Sequence, residues 1–453
     1  MSSLDIDPEV LKPLTKTRKE NIDLESLSRE ELIGRVKSLE IHVQQLRNVI
    51  AKNDKSALPT ARLKQKERKF DFNKHKRRHI LLQVSYFGWD YAGFATQEEA
   101  GRTIESELFA ALLQTKLVED RSGANYHRCG RTDRGVSGTG QVISLDVRTN
   151  LLEGEGVYTQ DGYTGSGGGK EKEIDFCSVL NRNLPEDIRV TAWAPAPSLQ
   201  FSARFDCEAR SYKYYFPRAH LSIEAMRAGG QRLLGTHDFR NLCKMDVNNG
   251  VVTFIRKIDS VSVVVAERAQ EGEDSPYDIC CLIIRSKAFL WHQIRCIMAV
   301  LLMVGEGLER EEVVTELLDI ENNPCRPAYQ MASDLALNLH SAEYENVCWV
   351  KDDSSTEFVI KSTQKLWAEH AIRAAMVRDK LRELEEVSGL TVLGQMECLT
   401  GRRKEKSYTR LMDLPKCPSL EDKIKTVVKK RKLDVSNRAA CDEEYDPVSN
   451  ECD

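Results

Sequence analysis

The chain has 453 residues, 41% of them hydrophobic and 30% charged, which is enough for two or three domains built around buried cores. A net charge of −4 excludes no class of partner, because basic clusters at residues 62–78 and 402–432 are offset by an acidic C-terminal stretch. Thirteen cysteines form no Cys-x-x-Cys pair and no cysteine–histidine cluster, which indicates reduced thiols in an intracellular protein without a structural metal. We expect neither a signal peptide nor a membrane span, since the longest apolar runs are too short.

The apolar pattern of residues 1–60 predicts a helical extension. Their apolar residues alternate with spacings of three and four: Leu32, Val36, Leu39, Val43, Leu46 and Ile50. Three heptads are only marginally stable alone, so a short coiled coil and a single amphipathic helix docked on the body fit equally well.

Residues 61–78 predict a basic linker that leads into the body. Nine of the seventeen residues from Arg62 to Arg78 are Lys or Arg, interrupted by Phe70 and Phe72. Such a run fits a solvated face, a targeting signal or a set of phosphate contacts.

The body opens with a strand at 80–86 and a loop at 87–97 that is rich in glycine and aromatic residues. Aromatic rings on such a loop either stack on bases or hold the loop against the core. Thr103 then caps a predicted helix with Glu105 and Glu107 in its first turn.

Asp133 is the one carboxylate among three arginines, Arg128, Arg131 and Arg134. Four glycines between residues 130 and 140 predict a loop, which leads into a strand at 141–147. The neighbouring cations favour an ionised Asp133, as a nucleophile or a general base requires, and they could also meet phosphate. An Asx-turn with solvated arginines fits the same residues. The glycine spacing matches neither a dinucleotide fingerprint nor a phosphate loop, so no nucleotide cofactor is expected.

Residues 151–173 contain seven glycines and predict a disordered surface insertion. The strand predicted at 209–216 alternates, so that Tyr212, Tyr214 and Phe216 share one face. Arg204 lies just before this strand.

Residues 289–305 predict an apolar helix that carries two polar residues of interest. Arg295 would be a buried cation, and burying an unpaired charge costs on the order of several kcal/mol. We expect Asp133 to be the anion that pairs with it. A histidine on a core helix more often has a structural role than a catalytic one, and this is our interpretation of His292.

Residues 351–400 predict a C-terminal helix, and residues 401–453 a charged, disordered tail. The basic run at 429–432 indicates a nuclear-import signal or an RNA contact, so the expected location is the nucleus, with the cytoplasm left open.

These blocks together resemble the TruA family of tRNA pseudouridine synthases. The main match is Gly130-Arg131-Thr132-Asp133-Arg134-Gly135-Val136 followed by Ser137-Gly138-Thr139-Gly140-Gln141-Val142, and the similarity extends in order from about residue 80 to about residue 344. Arg134 stands where the bacterial pattern has alanine. This difference and the extensions at both ends resemble the eukaryotic branch of the family.

The resemblance implies an α+β fold in which two ferredoxin-like (RRM-like) halves, residues 79–216 and 217–350, share an extended, mostly antiparallel sheet with the active-site cleft between them. It implies that Asp133 is catalytic and that Tyr212 stacks on the target uracil. Arg295 would keep Asp133 ionised and placed. The expected contacts to the tRNA are Arg131, Arg134 and Arg204.

For function, the resemblance implies isomerisation of uridine to pseudouridine at positions 38 and 39 of the tRNA anticodon stem-loop, by a homodimer and without a cofactor. Nothing in the sequence chooses between a nucleophilic and a basic role for Asp133. A non-catalytic tRNA-binding or chaperone protein on the same scaffold is the alternative. The joint presence of Asp133, Tyr212 and Arg295 argues against that alternative.

Overall fold

A computed structural model describes residues 70–96, 101–165, 169, 171–247, 250–251, 253–272, 274–390, 392–400 and 408–429. The heptads at 32–50, residues 61–69 of the predicted basic linker and most of the basic run at 429–432 therefore lie outside the described residues. No described helix is long and apolar enough to cross a membrane.

The described residues form one ten-stranded sheet. Its strands are β1 (Arg77–Tyr86), β2 (His127–Arg128), β3 (Ser137–Arg148), β4 (Val157–Tyr158), β5 (Ile188–Pro195), β6 (Ala209–Pro217), β7 (Gly235–Asp238), β8 (Ile255–Glu267), β9 (Ile279–Ser286) and β10 (Leu337–Glu343). The helices are α1 (Ile104–Gln114), α2 (Phe176–Asn181), α3 (Ile223–Gln231), α4 (Gln293–Gly305), α5 (Glu312–Leu318), α6 (Asp353–Ser388) and α7 (Glu397–Thr400).

The strands are ordered β4-β1-β3-β10-β6-β9-β8-β7, with β2 beside β3 and β5 beside β1. Every pairing is antiparallel except the short parallel contact of β3 with β10, where Ser137 faces Asn338. The predicted α+β class with a mostly antiparallel sheet is thus confirmed. Both β1-α1-β2-β3-α2-β5 and β6-α3-β8-β9-α4-β10 follow the β-α-β-β-α-β order of a ferredoxin-like unit, and they meet at the β3–β10 contact.

Strand β6 lies between β9 and β10, so it is the first strand of the second unit. The boundary expected at residues 216 and 217 would place β6 in the first half. The pairing instead places the junction between the halves in the connection from β5 to β6, residues 196–208.

The first unit is built around strand β1 and helix α1. Thr103 caps α1 as predicted, because its hydroxyl accepts from the backbone N–H of Ser106 while the Ser106 hydroxyl accepts from the backbone N–H of Thr103. Glu105 in the first turn is fully buried and forms ion pairs with Arg121 and Arg128 at 2.5 Å each. The apolar side of α1 covers the β1–β3–β5 face of the sheet.

Two segments that were predicted to be disordered are partly ordered. Within 151–173, the strand Val157–Tyr158 pairs with the start of β1, and the Tyr158 hydroxyl donates to Asp146 at 2.8 Å. Within 401–453, the described residues 408–429 dock on the second unit. Leu411 and Leu420 are buried there, and the Tyr408 hydroxyl donates to Glu309 at 2.6 Å.

Two cations at the end of the predicted basic linker already have partners in the fold. Arg78 is buried, forms an ion pair with Glu173 at 2.9 Å and lies over the ring of Trp193. Arg77 donates to the carbonyl of Gly123 at 2.8 Å. These two residues support strand β1, so they do not serve as phosphate contacts, which was one of the three roles that fit the linker.

Candidate active site

The Asp133 loop, residues 129–136, connects β2 to β3 at the boundary of the two units. The loop turns tightly at Gly135, whose φ is +78° and whose α-carbon packs against the carboxylate of Asp334 so closely that a Cβ would lie 2.0 Å from an oxygen. The carbonyl of Gly130 accepts from the side chain of Gln141 at 2.9 Å, and the Thr132 hydroxyl is hydrogen-bonded to Tyr86 at 2.8 Å. The sequence thus predicted the loop correctly, and its backbone is fixed on both sides of Asp133.

The aromatic loop at 87–97 holds the Asp133 loop in place. The backbone N–H of Phe94 donates to the carbonyl of Thr132, and that of Gly135 donates to the carbonyl of Tyr91. Phe94 and Tyr91 are buried, so these two rings belong to the core and are not free to stack on bases. Trp89 is 41% exposed, but its ring packs on Phe87 and His370 and its indole N–H donates to the carbonyl of Leu335.

Each carboxylate oxygen of Asp133 has a side-chain nitrogen close to it. His292 Nε2 lies 3.2 Å from Oδ2, and Trp291 Nε1 donates to Oδ1 at 3.3 Å. Both residues directly precede helix α4 of the second unit. The carboxylate therefore lies where the two units meet, and its side chain remains 34% exposed.

The position of His292 differs from our interpretation of the sequence. Helix α4 begins at Gln293, and His292 adopts a left-handed conformation with φ +57° and ψ +13°. The residue is therefore not on the core helix, and its ring is turned toward Asp133. No glycine marks this break in the helix, which is why the apolar pattern alone suggested a continuous helix from 289.

Arg295 is buried, as predicted, but the expected partner was wrong. Its guanidinium forms an ion pair with Asp334 at 3.2 Å and donates to the carbonyl of Ala332 at 2.7 Å. The ion-pair geometry does not extend to Asp133. Arg295 instead acts on that carboxylate through space, because its charge lowers the pKa of Asp133.

The pKa of Asp133 is lowered from its ordinary value. Burial alone would raise it, but His292, through both its hydrogen bond and its charge, the indole N–H of Trp291 and the charge of Arg295 together outweigh burial. Asp133 is thus ionised at neutral pH.

Tyr212 lies on β6 with its ring in the core, on the same face as Tyr214 and Phe216. The alternation predicted for this strand is confirmed. The ring of Tyr212 meets Phe289 edge to face, with centroids 5.2 Å apart. Burial and the nearby charge of Asp133 both raise the pKa of this phenol, so it remains neutral.

The three arginines expected at the substrate lie on the surface. Arg131 and Arg134 flank Asp133 on the loop, and Arg204 lies over the ring of Phe205. None of the three has an ion-pair partner within the described part of the chain. Exposed cations without counter-charges around an ionised carboxylate suit a polyanionic ligand.

Sequence reasoning missed three members of the site: Trp291, His292 and Asp334. Trp291 and His292 lie in the block that carries Arg295, but only the left-handed backbone at His292 turns both toward Asp133. Asp334 lies in the connection before β10, where nothing in the sequence singled it out. Among the described residues no group of three or more His, Cys, Asp or Glu side chains is arranged to hold a metal ion.

An ionised carboxylate on a hydrogen-bonded loop, where two halves of one sheet meet and with two exposed arginines beside it, suits an enzyme that acts on a nucleic acid. A family model described as tRNA pseudouridine synthase matches residues 230–345. The chain is 43% identical over 429 residues to the human tRNA pseudouridine(38/39) synthase, covering 89% of each protein. It is 36% identical over 364 residues to the Saccharomyces cerevisiae enzyme of the same name, covering 77% of this chain and 78% of that one.

Similarity extends to archaea, with 27% identity over 301 residues to the tRNA pseudouridine synthase A of Methanosarcina acetivorans, covering 66% of this chain and 97% of that protein. The chain belongs to the TruA family of tRNA pseudouridine synthases, and it is an isomerase.

Proposed function

We propose that this chain isomerises uridine to pseudouridine at positions 38 and 39 of the tRNA anticodon stem-loop. The observation that carries the proposal is the ionised Asp133 between the two units, on a chain whose human and yeast relatives are named for these two positions. The reaction breaks the bond between N1 and C1′, turns the base and rejoins it through C5. It has no net oxidation, reduction or transfer of a group.

Asp133 is the reacting group in this proposal. A carboxylate can add to the sugar or base as a nucleophile, or remove a sugar proton as a base, and both roles require its ionised form. The lowered pKa supplies that form at neutral pH. In this proposal the target uracil packs on the ring of Tyr212, whose pKa is raised by burial and by the charge of Asp133.

Arg131, Arg134 and Arg204 contact the phosphates around the target nucleotide in this proposal. Their exposure and their lack of ion-pair partners in the described chain support it. A base inside a stem or loop must leave its stack to reach Asp133, and cations next to the carboxylate would hold the backbone while it does so.

The direct test uses the full chain and a tRNA transcript without modified nucleotides, followed by site-resolved detection of pseudouridine. We expect conversion at positions 38 and 39 and at no other uridine. Conversion elsewhere would overturn the proposed target, and tight binding without conversion would favour the non-catalytic RNA-binding alternative.

We also propose that the active species is a homodimer, located in the nucleus. Helix α6 supports the first point because it presents large apolar side chains that are 44–84% exposed: Phe358, Ile360, Trp367, Ile372, Met376, Val377, Leu384 and Val387. A surface of this kind marks an interface, and a second copy of the chain is the occupant to which we commit.

Sedimentation of the full chain at micromolar concentration tests the dimer. We expect a dimer for the wild-type chain and a monomer for the Met376→Glu/Val387→Glu variant, since two charges in an apolar contact are costly to bury. A monomeric wild type would show that the proposal is wrong. A variant that remains dimeric would move the interface away from α6, with the heptads at 32–50 as the next segment to alter.

A further inference from the structure

Two consecutive residues, Trp291 and His292, share one carboxylate. Their N–H groups lie 3.3 Å and 3.2 Å from the two oxygens of Asp133. Consecutive side chains on an α-helix diverge and cannot reach the same group. The left-handed backbone at His292 removes this restriction, because it turns the chain just before α4 begins.

This backbone conformation has a cost that the surrounding structure offsets. A left-handed conformation costs a residue other than glycine about 1–2 kcal/mol. The His292 side chain is only 8% exposed, and the Trp291 ring stacks on it with centroids 4.4 Å apart and planes 27° apart. The peptide is also anchored, since the Trp291 carbonyl accepts from the backbone N–H of Lys244 at 3.0 Å. Strain of this kind, stabilised by packing, is concentrated at functional sites.

The second ring nitrogen of His292 shows which atom serves the carboxylate. Nδ1 is buried and has no hydrogen-bond partner in the described structure. Nε2 lies 3.2 Å from Asp133 Oδ2 and is therefore the ring nitrogen that donates to it.

The charged and titratable groups around this arrangement come from four elements. Arg295 lies on α4, Asp334 precedes β10, Lys244 lies over the Trp291 ring at 5.7 Å, and Tyr212 faces the site from β6. Arg295 is already engaged with Asp334. Direct contact with the oxygens of Asp133 is thus made by Trp291 and His292.

We propose that His292 and Trp291 are positioning residues, which orient the Asp133 carboxylate by donating one hydrogen bond to each of its oxygens. The inference rests on the proposed role of Asp133 as the reacting group. Both donors stabilise the ionised carboxylate more than the neutral acid, so losing either one destabilises the reactive form.

The test compares two substitutions at His292 by single-turnover conversion of tRNA across a range of pH. His292→Asn suits the left-handed backbone but is too short to reach Asp133, whereas His292→Gln places an N–H near the position of Nε2. We expect His292→Asn to lose about 100-fold in rate on the high-pH plateau, where Asp133 is ionised in both proteins and only its position differs. We expect His292→Gln to recover a large part of that loss.

The fall in rate at low pH, the acid limb of the same profile, reports the ionisation of Asp133. Without the donor the pKa of Asp133 rises, so His292→Asn loses activity at a higher pH than the wild type as the pH falls. His292→Gln is expected to remain near the wild-type profile. Melting temperatures of both variants show whether a loss reflects unfolding.

A matched pair of tryptophans isolates the second donor. Trp291→Phe keeps a ring against His292 but removes the N–H, and we expect its acid limb to move to higher pH. Trp89→Phe removes an indole hydrogen bond of the same 3.3 Å length, which ends on the carbonyl of Leu335, and we expect its acid limb to stay at the wild-type position.

The inference would be overturned if His292→Asn and His292→Gln lost the same factor in rate and neither shifted the fall in rate at low pH. Full activity in His292→Asn would also overturn it. The proposed function fails in a different way, because a wild-type chain that converts no uridine in tRNA contradicts it before any variant is compared.

Discussion

Asp133→Asn is expected to abolish isomerisation while the dissociation constant for tRNA changes by no more than a few-fold. The amide has nearly the same shape as the carboxylate, but it can neither attack a carbon nor remove a proton at neutral pH. We expect the single-turnover rate to fall at least about a thousand-fold. Affinity persists because it depends on phosphate contacts spread over many cations. Conversion and binding should be measured on one preparation.

Asp90→Asn is the matched control for this substitution. Asp90 is exposed on the aromatic loop, and no hydrogen bond or ion pair links it to Asp133. This variant should convert tRNA at the wild-type rate. The intact mass of the Asp133→Asn protein must exclude deamidation of the introduced amide, which would restore the carboxylate. Turnover close to wild type in an intact Asp133→Asn protein would contradict the assignment of Asp133.

The location of the site could be predicted from the sequence, but its internal contacts could not. Asp133 stood out because glycines and arginines surround it, and Arg295 because a cation lies in an apolar helix. The sequence analysis named only Asp133 as the anion for Arg295, and nothing in the sequence singled out Asp334. Asp334 reaches Arg295 because backbone contacts fix its loop: the N–H of Ala332 donates to the Arg295 carbonyl at 3.0 Å.

The fold, too, has features that the sequence predicts and features that it does not. Alternation along β6 and the cap at Thr103 predicted local structure correctly, because both follow from short-range geometry. The docking of residues 408–429 could not be predicted, since Leu411 and Leu420 are isolated apolar residues in a charged stretch. Their burial depends on a surface that the second unit forms only after it has folded.

Arg295→Met is expected to lower both stability and activity, for separable reasons. Methionine fills a similar volume but leaves the Ala332 carbonyl and Asp334 without their partner. Breaking a fully buried ion pair costs about 3–5 kcal/mol. Asp334 is 38% exposed and can be solvated, so we expect a smaller loss of about 2 kcal/mol in the free energy of unfolding, measured with urea.

The effect on activity is tested by comparing Arg295→Met with Asp334→Asn, because the two substitutions change the field at Asp133 in opposite directions. Without Arg295 the pKa of Asp133 rises and the acid limb of the pH profile moves to higher pH. Without the charge of Asp334, Arg295 is less neutralised, the pKa falls and the limb moves to lower pH. Single-turnover profiles of both variants against the wild type measure the two shifts. Shifts in the same direction would mean that Arg295 supports the site only through the fold, whereas opposite shifts identify it as the charge that keeps Asp133 ionised.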